Sequence, residues 1–472
     1  MSDVELGPDT AAAESSGNGK SVSKVKDTEG ITGTRPWQHA AYHSIVSVLG
    51  VAGIVALPYS MAYLGWAGGL VLFATATATS FYSGQMLVNC QDVTRHSTYS
   101  DLGDAIMGDG WSLRWVRPFQ GIVFATVVMA TVIGMGQLMG AMDLEFDGTQ
   151  NLSNSEWIAI SGLMLLIVSL PPNVEESWAV SFVGTVATLV AVVLLIVGSG
   201  LSIGENADDV SYDRPEGSRR DYAIGVLESF GILAFVYGGH SVIPDVHHSL
   251  GHQTAHESRR AMTKAWRFSY CIIAPSYLVV MCLAYGAFGS SVSAFVINDL
   301  RPFISSGVFW ALYLFSLVNF IALGAVYNQA AFVYIEDLMT MVRLRRGRGC
   351  CATSNELHDE GEGSFAEPKV RKGRHAKLAI RILYVGFGTF VGIAIPFFGD
   401  IAALSGAIGF TPCTFVYPIW FYNRSQLGQK APRWRRNLNW FLMFLFTSLG
   451  ICAAIGAVYS IVLNSSSYKF FG

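Results

Sequence analysis

Lysine and arginine are nearly absent from the interiors of eleven long apolar stretches of this chain and crowd into the connections between them. Only 14% of the 472 residues are charged, while 51% are hydrophobic; a soluble domain carries roughly 25% charged residues. A helix of about twenty apolar residues crosses the ~30 Å hydrocarbon layer of a bilayer. Runs of that length, repeated between short polar connections, are the pattern of a multi-pass membrane protein. The runs cover residues 37–64, 66–88, 115–142, 156–170, 178–201, a sixth from 223 through 245, then 268–289, 303–335, 379–398, 401–422 and 438–463. The expected fold class is an all-α polytopic membrane protein with eleven transmembrane helices embedded in a lipid bilayer.

Charge sets the expected orientation. With the N-terminus in the cytosol, 26 of the 31 Lys and Arg residues fall on the cytosolic side and 5 on the other, as the positive-inside rule requires. Residues 1–36 are rich in Ser, Gly, Thr, Asp and Lys and read as a disordered cytosolic tail. They contain no apolar signal region, so the first span would act as its own signal. Residues 339–376 form a basic cytosolic loop and 464–472 an extracytosolic tail. The sequons at Asn151 and Asn464 fall outside, where glycosylation occurs, and the one at Asn423 falls inside. None of the seven cysteines lies in an outside loop, which argues against a disulfide framework. Cys350 and Cys351 follow a basic run, which suits either reversible acylation or an inert pair.

Two spans carry residues that a continuous membrane helix tolerates poorly. The sixth contains Val236-Tyr237-Gly238-Gly239-His240-Ser241-Val242-Ile243-Pro244-Asp245, and the first contains Gly50-Val51-Ala52-Gly53. Glycine weakens a helix and proline removes a donor. Broken backbone at membrane depth survives only where protein buries it or a cavity borders it. The two breaks lie five spans apart, so they run in opposite directions through the bilayer. That pattern fits an inverted five-plus-five repeat (37–201 and 222–422) with discontinuous helices 1 and 6 and an extra helix at 438–463.

The breaks imply a ligand. Beyond the first break a half-helix starts near Ile54, with the N–H groups of Val51, Ala52, Gly53 and Ile54 free; such an end favours an anion. Before the sixth-span break a half-helix ends near Tyr237, with the carbonyls of Phe235, Val236 and Tyr237 free; that end favours a cation. The glycines at 53, 238 and 239 admit close approach to backbone. Together the two ends suit a zwitterion such as an α-amino acid, although dipolar ends also bind other small polar solutes and ions.

Three motifs carry a family resemblance. Gly50-Val-Ala-Gly-Ile-Val-Ala-Leu-Pro-Tyr-Ser-Met-Ala-Tyr-Leu-Gly-Trp66, Phe235-Val-Tyr-Gly-Gly-His-Ser-Val-Ile-Pro-Asp245 and Phe390-Val-Gly-Ile-Ala-Ile-Pro-Phe-Phe-Gly-Asp400 resemble the first-, sixth- and ninth-span signatures of the amino acid/auxin permease family. Their order and spacing fit over residues 37–463. The lysine–histidine-transporter-like branch is the nearer match, and the auxin-influx branch shares the Gly-Gly-His block. The resemblance implies proton-coupled symport of amino acids or related small organic acids, eleven spans and the five-plus-five fold. The chain departs from the family at Val51, where Gly is usual, and at Ala330, where Pro is common; it shares Tyr327 and Glu336.

The candidate substrate-binding residues are therefore Val51, Ala52, Gly53, Ile54, Phe235, Val236, Tyr237, Gly238, Gly239 and Tyr327. For proton coupling, His240 titrates near physiological pH, and Asp245 and Glu228 are carboxylates within an apolar run. Each has a structural alternative: a carbonyl donor for His240, a cap or ion pair for Asp245, and a group reaching the outer face for Glu228. His247, His248, His252 and His256 resemble metal spacing but lie in one exposed loop without Cys partners, so no metal and no cofactor is expected. The sequence holds no P-loop, Ser/His/Asp set or helical His-Glu-x-x-His, so neither an enzyme nor an ATP-driven pump is expected. The basic residues form no groove-like patch for nucleic acid. Plasma and vacuolar or lysosomal membranes both suit such a carrier, and the plasma membrane is the expected one. The rivals are an auxin-type organic acid carrier, a channel and a non-transporting amino acid receptor.

Overall fold

The computed structural model describes residues 35–94, 98–170, 178–206, 210–251, 254–350 and 370–467, and every regular element in them is helical. The first expected span is three pieces: α1 (Trp37–Val48), α2 (Val51–Ile54) and the first turns of α3 (Leu57–Thr94). Helix α3 turns sharply at Gly65 (φ 65°, ψ 176°), a left-handed backbone position that glycine accepts without strain. The second span runs on from there. Short helices α4 (Tyr99–Met107) and α5 (Trp111–Trp115) lead into α6 (Arg117–Asp147), followed by α7 (Asn154–Ser169) and α8 (Trp178–Glu205). The sixth span is α9 (Arg219–Val236), a 3₁₀ turn (His240–Val242) and α10 (Ile243–His248). Then come α11 (Ala255–Phe288), the short α12 (Ile297–Leu300), α13 (Ser306–Cys350), α14 (Val370–Ala394) and α15 (Phe398–Leu404). A π-helical segment (Ser405–Val416) joins α15 to α16 (Tyr417–Arg424), and α17 (Gln426–Gln429) precedes α18 (Arg433–Ser467).

Among the described residues nine helices are long and apolar enough to cross a membrane. The expected spans outside that count have visible causes. Residues 37–64 are interrupted at Leu49 and Gly50, and α7 is a 16-residue helix. One expected loop is helical instead. Helix α13 continues through the basic run to Cys350 and α14 begins at Val370, so only the middle of segment 339–376 falls outside the described residues. Arg and Leu are good helix formers, and a span that ends in them extends beyond the apolar layer without penalty. The tail expected at 1–36, apart from Arg35 and Pro36, lies outside the described residues, as do His252 and Cys351.

The helices sort into a wall and a centre. On α8, Phe182, Val183, Val186, Val193 and Val197 are exposed; on α18, Phe441, Phe444, Ile451, Ile455 and Val462 are. Apolar surface on that scale is a liability in water and is the surface a lipid chain solvates. Helices α6 and α9 are mostly buried among the others. Between lipid-bathed helices the hydrophobic effect gives little attraction, so close packing has to hold them. Two serine capping boxes, Ser153 with Glu156 and Ser218 with Asp221, start α7 and α9 and satisfy N–H groups that the helix leaves unpaired.

Candidate functional site

Both breaks sit at the centre of the bundle, against one another. A Cβ added to Gly53 would lie 3.3 Å from the Val236 Cα and 3.4 Å from the Tyr277 hydroxyl, so a larger side chain would push the two backbones apart. Between the breaks is a cavity of ≈ 20 Å³, lined by Ser47, Gly50, Ala52, Phe235, Gly238 and Tyr327 among others. That volume holds about one water, so no amino-acid-sized solute fits there in this structure.

The donor end differs from the expectation of four free N–H groups starting near Ile54. The half-helix restarts at Val51, because Gly50 is extended (φ −77°, ψ 144°) and acts as its N-cap. The Gly53 and Ile54 N–H groups donate to the Gly50 carbonyl at 3.0 and 3.2 Å. The Val51 N–H donates to Asn319 Oδ1 at 2.8 Å, and the Asn319 amide donates in turn to Thr188. Among the described residues only the N–H groups of Gly50 and Ala52 lack a protein acceptor at this end. Asn319 therefore caps the half-helix from α13 and leaves two donors facing the cavity.

The acceptor end is also largely occupied. The Phe235 carbonyl accepts from the Gly238 N–H at 2.9 Å. The Tyr277 hydroxyl reaches the carbonyls of both Val48 and Val236, the latter at 3.0 Å. The Tyr327 hydroxyl reaches Ser47 at 3.4 Å and Gly238 at 3.2 Å. Buried carbonyls require partners, and these tyrosines supply them to both breaks at once. A tyrosine hydroxyl donates a single proton, so four carbonyls share two protons.

The candidate side chains separate by location. Tyr327 lines the cavity; the Tyr237 side chain turns away and its hydroxyl meets Thr77 on α3. His240 is fully buried outside the central cavity. Its Nε2 lies 3.0 Å from the Ser80 carbonyl and 3.1 Å from Ser83 Oγ, with the Trp266 ring edge-on at 5.4 Å. It ties the sixth-span break to α3. Asp245 is half-buried and lines a second cavity of ≈ 230 Å³, which opens on the face where α1 begins and is also lined by His39, His43, Arg117, Gln120 and Tyr334. Glu228 is buried at the opposite end, in a third cavity of ≈ 370 Å³ with Tyr59, Gln137, Asp400 and Asn464. There the Glu228 carboxyl meets Asp400, Ser460 and Tyr59. Asp400 accepts from Ser460 at 2.9 Å and from the Asn464 amide at 2.8 Å. Asn464 is thus engaged in this cavity, whereas Asn151 is exposed in the α6–α7 turn. Glu336 pairs with Lys377 at 2.7 Å, and His247 packs against Gln91 at 2.9 Å.

Reading the sequence did not find Asn319, Tyr277, Arg117 or the role of Asp400. A polar Asn in the middle of a long apolar run was a signal for the first, and Asp400 ends the third quoted motif. Tyr277 gives no signal, since a tyrosine in a membrane helix is ordinary.

A helical bundle with nine described helices apolar enough to cross a membrane, and two broken helices around a small central cavity, is the architecture of a multi-pass membrane transport protein. Residues 33–463 match the model of the transmembrane amino acid transporter protein family, and the chain belongs to that family. It is 27% identical over 469 residues to "Lysine histidine transporter-like 6" of Arabidopsis thaliana, covering 95% of this chain and 98% of that protein. It is 24% identical over 454 residues to "GABA transporter 1" of Arabidopsis thaliana, covering 92% of each. "Amino acid permease 3" of the same plant is 23% identical over 464 residues, again with 92% of each covered.

Proposed function

We propose that the protein is a secondary active transporter that carries amino acids inward across a membrane together with protons. The observation that carries this reading is the pairing of the breaks: two unpaired N–H donors at Gly50 and Ala52 face carbonyls that share too few protons at Val236 and Gly238. The donors suit a carboxylate and the carbonyls an ammonium. Val51, Gly53 and Ile54 would shape the first pole. Phe235, Tyr237, Gly239 and Tyr327 would shape the second. The relatives' names, which refer to GABA, lysine and histidine transporters and to amino acid permeases, support an amino acid cargo.

In this reading the eleven spans form two inverted five-helix repeats, 37–201 and 222–422, with 438–463 as an extra helix. The N-terminus and the ≈ 230 Å³ cavity face the cytosol, and the ≈ 370 Å³ cavity and the C-terminal tail face the outside of the plasma membrane. Residues 339–376 form a basic cytosolic segment. The coupling proton sits between Glu228 and Asp400. A carboxylate only accepts hydrogen bonds, so two carboxyls in contact need a proton between them. His240 and Asp245 remain secondary proton candidates: the first is tied to α3, and the second lies in the inner cavity.

The test is uptake of labelled neutral, basic and acidic amino acids into proteoliposomes with an imposed pH gradient, and competition by indole acids. Saturable uptake that follows the pH gradient supports the proposal. Binding without uptake or exchange would mean a receptor. Uptake driven by sodium and indifferent to pH would overturn the proton coupling, and preference for indole acids would point to the auxin-type carrier.

A further inference from the structure

The cavity at the face where α1 begins contains a cation that the transport reading does not use. Arg117, the first residue of α6, is only 3% exposed and lines this cavity. Among the described residues its guanidinium makes no hydrogen bond and no ion pair, and its Nε has no partner. The Tyr334 ring lies 6.0 Å from the guanidinium carbon. The Tyr334 hydroxyl donates to the Arg117 carbonyl at 2.7 Å, which pins the backbone and leaves the charge unanswered. Arginine cannot relieve burial by losing its proton. An unpaired buried charge is costly, and the positive pole at a helix N-terminus adds to the repulsion. Both features favour an anion at this spot.

Gln120 lies one turn further along α6, is 5% exposed and lines the same cavity. Its Oε1 accepts from Ser100 Oγ at 2.8 Å, so its amide nitrogen, a donor without a protein partner among the described residues, is left for the cavity. A planar guanidinium beside an amide N–H₂ is a donor set matched to a carboxylate. Arg35, His39, His43, His248 and Asp337 also face the cavity; Arg35 lies 3.4 Å from His39. Asp245 lines the same cavity and can face an ammonium. The volume, ≈ 230 Å³ against ≈ 20 Å³ at the centre, admits a whole small solute.

We propose that Arg117 and Gln120 form a second carboxylate site in this cavity, where the amino acid is held between the central site and the cytosol. The cargo and the cytosolic placement rest on the function proposed above; the carboxylate site itself does not.

Two measurements on the full-length protein separate them. The first is thermal stability in detergent with sodium acetate against equal sodium chloride, for wild type, Arg117→Gln and Gln120→Glu. Gln120→Glu supplies Arg117 with an internal carboxylate, so it keeps the fold while filling the site, and it carries the test if Arg117→Gln does not fold. Acetate should raise the unfolding temperature of the wild type and act markedly less on both variants. No acetate effect, or the same effect in all three, overturns the site. The second is exchange in oriented vesicles, read as the cytosolic amino acid concentration that half-saturates it. Both variants should raise it about tenfold, the loss of one charged hydrogen bond, with the external half-saturation unchanged. An unchanged cytosolic value in both variants overturns the role in transport. Acetate stabilisation of a wild type that exchanges nothing would sink the transport reading and leave the carboxylate site standing.

Discussion

Two hydroxyl protons serve four carbonyls at the centre of this protein, and their distances rank them. Tyr277 holds Val48 and Val236 more closely than Tyr327 holds Ser47 and Gly238. Removing a hydroxyl from a buried carbonyl costs about 1–3 kcal/mol. Tyr277→Phe should therefore lower the thermal stability of the purified protein more than Tyr327→Phe does. Tyr327→Phe, beside the cavity, should mainly change the half-saturating amino acid concentration. Equal stability losses would contradict the ranking. The carboxyl pair makes a second residue-scale prediction. Glu228→Gln can hold no transferable proton, so uptake should lose its rise with external acidity, while His240→Asn should lower the amount of folded protein. A pH profile that vanishes in His240→Asn and survives in Glu228→Gln would reverse the assignment. At this scale the sequence was only partly legible. The break positions could be read from glycine and proline. Their caps could not, because Asn319 reaches Val51 across 268 positions of sequence, and no local pattern records that contact.

At the scale of elements, what holds the bundle is how closely helices approach. The π-helical segment crosses α9 where glycine meets glycine: a Cβ on Gly406 would lie 1.8 Å from the Gly231 carbonyl oxygen and 2.6 Å from the Phe235 nitrogen. Backbone cannot yield as a side-chain tip does, and this crossing sits directly behind the sixth-span break. Gly406→Ala should thus abolish folded protein, or leave a protein whose break is displaced and which carries nothing. Gly307→Ala is the control: nothing lies within 4 Å of its added Cβ, and alanine favours a helix. Size-exclusion profiles of the two variants decide it, and a Gly406→Ala protein with wild-type elution and uptake would show that the crossing admits a methyl group. Helix lengths and loop charges were readable because hydrocarbon thickness and the cost of buried charge act on every residue of a span. The helical extension of α13 to Cys350 was not, because beyond the apolar layer a basic run suits a helix as well as a loop.

For the whole molecule, charge and the cavities make a joint statement about sidedness. In the proposed topology, which puts 26 of 31 basic residues on the cytosolic side, the α6–α7 turn and the end of α18 share the opposite side, yet their sequons differ in exposure. Asn151 is exposed on the surface, where its amide donates to Asp143 at 3.0 Å and a glycan would meet solvent. The Asn464 amide donates to Asp400 at 2.8 Å within the outer cavity, beside the Glu228 contact. Modification there would remove a donor from the carboxyl pair and place a sugar in the cavity. Expressed in eukaryotic cells, the protein should carry one N-glycan. Asn151→Gln should collapse the glycosidase-sensitive gel shift to none, and Asn464→Gln should leave it intact while impairing uptake. A glycan that persists in Asn151→Gln and disappears in Asn464→Gln would mean that the end of α18 is open to the outside. The cavity wall around Asp400 would then move away from it, and a proton held between Glu228 and Asp400 would be released when it does.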